Sequence, residues 1–139
     1  MISTTTRPTE RTTDRKFRIA GLVLTGLVVL FLLFDVTIHI LNVDQAREAM
    51  IDLGFDPDLN YVIGVVLLVC LALYLVPATS ILGAVLLTGY LGGAVATNML
   101  NEMPLFSTIL FPVYVGVVVW AGLYLRDPVV RSVMPLRRA

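Results

Sequence analysis

The fold is decided by IAGLVLTGLVVLFLLFDVTIHIL, residues Ile19–Leu41. At about 1.5 Å per residue, a helix of this length crosses the roughly 30 Å hydrocarbon layer of a bilayer. The run is too long for a signal peptide and no small-residue cleavage site follows it, so we expect a retained transmembrane helix. The composition agrees, because 58% of the 139 residues are hydrophobic and 14% are charged, against about 25% charged in soluble domains.

Three further apolar runs follow, and they predict three more spans, at Leu59–Val76, Ile81–Leu100 and Leu105–Leu125. The short uncharged turn that begins at Pro77 predicts that the second and third spans are antiparallel neighbours. Pro112 removes a backbone hydrogen bond and predicts a kink in the fourth span. The predicted fold class is all-α, a four-helix transmembrane bundle over residues 19–125 between basic tails at residues 1–18 and 126–139.

A short amphipathic helix is predicted between the first two spans. Ala46, Met50 and Leu53 are spaced i, i+4 and i+7, with Asp44 placed to cap the start and Gly54 to end the helix. We expect this helix to lie on the membrane surface.

The basic residues indicate the orientation. All ten Lys and Arg residues except Arg47 lie in the two tails, and the positive-inside rule therefore predicts that both termini are cytoplasmic. The first tail, rich in Ser, Thr and Arg, is expected to be disordered or to lie on the membrane surface. The formal net charge of zero gives no reason to expect nucleic-acid binding.

Polar side chains inside the spans form two stripes near the extracytoplasmic side. Asp35, His39 and Asn42 lie at i, i+4 and i+7 and share one helical face. Ionisable groups in a membrane span normally face the protein interior and find partners, so we expect Asp35 to pair with His39. With residues at the same depth in the other spans, the candidate ligand-binding pocket comprises Asp35, His39, Asn42, Tyr61, Tyr90, Thr97, Asn98, Asn101 and Tyr114.

Two interpretations of this cluster stay open. The polar groups form a structural hydrogen-bond network, or the Asp35 and His39 pair handles protons or binds a ligand. Because His39 and Cys70 are the only histidine and the only cysteine, neither a multi-histidine metal site nor a disulfide is expected within one chain. No catalytic residue, metal site or cofactor site is evident.

Two patterns have structural interpretations. Gly89 and Gly93 form a GxxxG motif that predicts close helix packing, either within the chain or with a second subunit. Tyr74, Trp120 and Tyr124 approach the cytoplasmic ends of their spans and are typical of an aromatic belt.

Several motifs together resemble the bacterial DoxX-like family of integral membrane proteins. They are FD at Phe34 and Asp35, YLVP at the end of the second span, LTGYLGGAVAT in the third, and LFPVYVG with GLYLRDP in the fourth. The resemblance covers residues 17–135 and implies a four-helix membrane fold in the bacterial cell membrane. The chain has Asn98 and Ala78 where members often carry a histidine and a basic residue, so no role of that histidine is carried over.

Three functions are compatible with these observations. The resemblance implies a loose association with quinone-linked oxidoreductases, and hence a small accessory subunit of a membrane redox complex, with a quinone or a partner protein at the outer pocket. The polar cluster favours a stand-alone binder or enzyme for a small lipophilic molecule. A small transporter that acts as a homo-oligomer is the third.

Overall fold

The computed structural model describes residues 8–135 of the chain, and this part contains helices and no strand. The predicted all-α class is confirmed. The helices are α1 (Pro8–Ile40), α2 (Asp44–Asp52), α3 (Leu59–Leu75), α4 (Ser80–Leu100), α5 (Phe111–Arg126) and α6 (Pro128–Val133), with a π-helical segment at Leu105–Ile109.

Three helical segments are long and apolar enough to cross a membrane, namely Arg11–Ile40, Ser80–Leu100 and Leu105–Arg126. The apolar helix α3 has 17 residues and is shorter. At about 1.5 Å per residue it extends over about 25 Å, somewhat less than the hydrocarbon thickness.

The four longer helices pack in a ring. α1 contacts α3 and α5, and α4 contacts the same two helices from the other side. Leu32, Leu67, Leu87 and Val119 are almost completely buried where the four helices meet. Since lipid tails are as apolar as these side chains, close packing and interhelical hydrogen bonds hold such helices together.

Two glycines allow helix backbones to touch. A Cβ atom at Gly21 of α1 would lie 2.5 Å from the backbone nitrogen of Arg126 in α5, and one at Gly83 of α4 would lie 2.2 Å from that of Tyr74 in α3. By contrast, a Cβ atom at Gly89 or Gly93 would meet nothing within 4 Å. The GxxxG motif therefore makes no close helix contact within the described part of the chain.

Helices are found at both ends of the described region, whereas residues 1–7 and 136–139 of the two predicted tails lie outside it. From Pro8 to Arg18 the first tail is helical and continuous with α1, so these residues are not disordered, and the alternative expectation of a tail on the membrane surface stays a prediction. An existing helix extends easily, because each added residue gains a hydrogen bond without a new nucleation cost. At the other end, the Asp127 side chain accepts a hydrogen bond of 2.8 Å from the Val129 backbone and caps the short helix α6.

The connecting segments agree with the sequence in outline. In α2, Ala46 and Met50 are buried against the protein as the amphipathic pattern predicts, but Asp44 makes no cap hydrogen bond and Val43 is the N-cap residue. At Pro112 the expected kink is a full break, with the π-helical segment before it and α5 beginning at Phe111.

Tyr74 corrects the prediction of an aromatic belt. Its side chain is fully buried, and its hydroxyl donates a hydrogen bond of 2.7 Å to the carbonyl oxygen of Val119. The Arg126 guanidinium lies 4.9 Å from the centre of the Tyr74 ring. Tyr74 therefore belongs to the protein interior.

Candidate functional site

A hydrogen-bonded chain of three side chains connects the end of α1 with the start of α3. His39 Nδ1 lies 2.8 Å from Asn60 Oδ1, and Asn60 Nδ2 donates to Asn42 Oδ1 at 2.9 Å. Asn60 has an exposed fraction of 0%. A buried amide of this kind is costly unless its polar atoms are paired, and here both ends of the amide are used.

Asp35 lies one turn before His39 on the same helix. Its Oδ1 atom is 3.7 Å from His39 Nε2, which is beyond a hydrogen bond but within the range of an ion pair. The predicted pairing of these two residues is therefore present as an electrostatic contact. Both side chains are partly buried.

His39 forms part of the wall of a cavity of about 320 Å³ between α1, α2, α3 and α4. Its other lining residues are Met50, Leu53, Phe55, Ile63, Tyr90, Gly93, Ala94, Thr97 and Asn98. A mostly apolar wall with a few polar groups is typical of small-molecule sites. A second cavity, of about 420 Å³, lies between α1 and α2 and is also lined by His39.

Four of the sequence-predicted residues line the first cavity, namely His39, Tyr90, Thr97 and Asn98. Asn98 Nδ2 donates to the carbonyl oxygen of Thr108 at 3.2 Å and connects α4 to the π-helical segment. Asp35 and Asn42 are not among the lining residues, but Asp35 lies 3.7 Å from His39 Nε2 and Asn42 accepts a hydrogen bond from Asn60.

Three other predicted residues lie outside the lining. Asn101 Nδ2 donates to the carbonyl oxygen of Thr97 at 3.0 Å and lies 3.5 Å from that of Leu53, at the end of α2. The exposed fractions of Tyr61 and Tyr114 are 58% and 47%, and neither residue lines the cavity. Their role in ligand binding stays a prediction, at positions away from the cavity.

Asn60 was not among the predicted site residues, although the sequence carries a signal for it. Asn60, Leu67, Leu71 and Tyr74 lie at i, i+7, i+11 and i+14 and form one buried face of α3. An amide on the apolar core face of a helix needs a polar partner, whereas the neighbouring Tyr61 points outward.

A larger cavity, about 670 Å³, lies elsewhere, between α4, α5 and α6. Its described lining residues include no histidine and no carboxylate, and the Trp120 indole nitrogen is already bonded to Thr88 Oγ1 at 2.8 Å. Polar groups that could orient a ligand are therefore concentrated at the His39 cavity. Within residues 8–135, no group of three His, Cys, Asp or Glu side chains is placed to hold a metal ion.

The comparison with protein families matches the model described as the DoxX-like family to residues 23–122. The chain belongs to the DoxX-like family. Comparisons with curated proteins and with solved structures give no significant match. The matched region of this DoxX-like membrane protein runs from α1 into α5 and includes Asp35, His39, Asn60 and all residues that line the His39 cavity.

Proposed function

We propose that this DoxX-like protein binds a small lipophilic molecule with a polar head in the cavity lined by His39. The observation that carries the proposal is the fixed imidazole, since Asn60 holds one ring nitrogen of His39 while the ring also forms part of the wall of an otherwise mostly apolar cavity. A polar group fixed in advance can orient a ligand without a further entropic cost.

The size of the cavity supports this proposal. A volume of about 320 Å³ lies at the lower end of the range of about 300 to 1,000 Å³ for small-molecule sites. It suits the head of a single-ring compound. Phe55, Ile63 and Met50 supply apolar contacts, and Thr97 and Asn98 lie at the same wall.

The test is retention of a bound molecule. Protein purified in mild detergent is analysed by native mass spectrometry, and we expect the wild type to carry a small lipophilic molecule that the His39→Ala and Asp35→Asn variants lose. Tyr61→Phe and Tyr114→Phe are matched controls, because these side chains are exposed outside the cavity. Equal retention by His39→Ala and the wild type would contradict the proposal.

An accessory subunit of a quinone-linked membrane redox complex is the second candidate. The face of α4 at Gly89 and Gly92 supports it, since a Cβ atom at either position would meet nothing within 4 Å among the described residues, and small residues let a partner helix approach closely. A quinone as the bound molecule would fit both candidates. Co-purification of an oxidoreductase supports this role, whereas a protein that purifies without one contradicts it.

For the membrane arrangement, we propose four spans in the bacterial cell membrane, with α3 as the short span and both termini cytoplasmic. Single cysteines at Arg11, Asp52 and Ser132 in a Cys70→Ala background test this arrangement, because the three side chains are exposed. An impermeant thiol reagent should label only the Asp52→Cys variant on intact spheroplasts. Labelling of the cysteine at position 11 or 132 would show that the orientation is the reverse of the one proposed.

A further inference from the structure

The amide of Asn60 faces one of the two ring nitrogens of His39. Asn60 Nδ2 donates to Asn42 Oδ1, so Asn60 Oδ1 is the atom turned toward His39 Nδ1, at 2.8 Å. An amide oxygen only accepts hydrogen bonds, and Nδ1 must therefore be the donor. A neutral imidazole has one N–H group, so its Nε2 atom is left with a free lone pair.

This Nε2 atom has no hydrogen-bond partner among the residues that the structure describes. The Asp35 oxygen lies 3.7 Å away, which is too far for a hydrogen bond. Asn60 is completely buried and is not part of the cavity wall, whereas His39 is. Nδ1 is therefore occupied by Asn60, and Nε2 is the ring nitrogen left for a further hydrogen bond.

We infer that Asn60 is a positioning residue that holds His39 in its Nδ1–H form, so that Nε2 accepts a hydrogen bond from the hydroxyl group of a lipophilic alcohol or phenol. This inference rests on the proposed binding function and names its ligand class. Tyr90 lines the same cavity, and its hydroxyl makes no hydrogen bond to another described residue.

The first part of the test is nitrogen NMR of the wild-type protein. His39 is the only histidine in the chain, so protein labelled with ¹⁵N-histidine gives one imidazole ring to assign. In detergent at a pH where the ring is neutral, we expect a protonated-type signal for Nδ1 and an unprotonated-type signal for Nε2. The reverse assignment overturns the inference without any mutation.

Two substitutions separate positioning from a purely structural role. Asn60→Leu has a similar size but removes the acceptor, and we expect the Nδ1–H form to lose its dominance. Asn60→Asp keeps an oxygen opposite Nδ1 and should restore the wild-type pattern. If Asn60→Leu folds and still shows the wild-type ring signals, Asn60 does not set the tautomer.

The ligand class is tested with a matched pair of probes, 4-hexylphenol and its methyl ether, 4-hexylanisole. They share the apolar tail, but only the phenol can donate to Nε2. Because an unmet polar group in a buried site is costly, we expect about tenfold tighter binding of the phenol and a shift of the Nε2 signal with the phenol alone. Equal binding of both overturns the hydroxyl preference and leaves the binding function intact, whereas binding of neither contradicts both.

Discussion

The hydroxyl of Tyr74 in α3 donates a hydrogen bond to the carbonyl oxygen of Val119 in α5, 2.7 Å away, and so joins two helices that face each other across the ring of four. Both residues are completely buried. In membrane proteins, where apolar burial contributes little between helices, such bonds are among the forces that fix the arrangement.

Tyr74→Phe should lower the free energy of unfolding by about 1 kcal/mol, a typical value for an interhelical hydrogen bond. The loss is moderate because the Val119 carbonyl group keeps its second lone pair for the bond within α5. Denaturant titration in mixed micelles measures the change. Tyr124→Phe, on the exposed side of α5, is the control, and an equal effect of both substitutions would contradict the special role of Tyr74.

A pair of glycines in α4 gives opposite expectations for the same substitution. Gly83→Ala places a methyl group 2.2 Å from the Tyr74 backbone nitrogen, and we expect a loss of about 3 kcal/mol as α3 and α4 are forced apart. Gly89→Ala meets nothing within 4 Å and should leave stability unchanged or raise it by up to about 1 kcal/mol through helix propensity. Thermal unfolding in detergent compares the two, and a Gly83→Ala variant as stable as the wild type would refute the close contact.

Arg126 stabilises the end of α3 from another helix. Its Nη2 atom donates to the Tyr74 carbonyl oxygen at 3.0 Å, while the guanidinium stacks over the Tyr74 ring. The carbonyl groups of a last helical turn have no partner within the helix and favour a nearby cation. Because lysine lacks the planar fork, Arg126→Lys should cost about 1 kcal/mol of unfolding free energy. The exposed Arg18→Lys is the control and should cost nothing measurable.

The cap of α6 can be tested locally. Asp127→Ala removes the acceptor of the Val129 N–H bond and should destabilise the first turn of α6 by about 1 kcal/mol. Hydrogen exchange of the α6 amides should then be about fivefold faster. Asp127→Ser retains a capping oxygen, so its α6 amides should exchange at close to the wild-type rate. If they exchange as fast as those of Asp127→Ala, loss of the cap is not the cause.

The helix positions were predictable because apolar runs and prolines mark them directly. The predicted Leu59–Val76 and Ile81–Leu100 became Leu59–Leu75 and Ser80–Leu100. Because the turn between these two helices is short, it leaves little choice of where the first helix ends and the second begins. The helix at residues 8–18 was not predicted, because polar composition alone does not reveal that a helix already formed can extend into such a segment.

The contacts between helices were less predictable, since they depend on how each helix is rotated. Leu87 and Gly89 differ by two positions, which turns about 200° around a helix, so Gly89 lies opposite the core face and Gly83 makes the close contact instead. The same reasoning applies to the site. Asp35 and His39 are local neighbours and were predicted together, whereas the partner of His39 is Asn60, on another helix.

The shortness of α3 has a consequence for the lipid around the protein. If α3 crosses the membrane as proposed, its 17 residues extend over about 25 Å, which is less than the roughly 30 Å of hydrocarbon beside it. A membrane meets such hydrophobic mismatch by thinning locally. Asn60 lies in the first turn of α3, so the headgroup layer should dip toward the polar end of the cavity on this side. A molecule with a greasy tail and a polar head would then have a shorter path from the bilayer to His39 here than beside the longer helices.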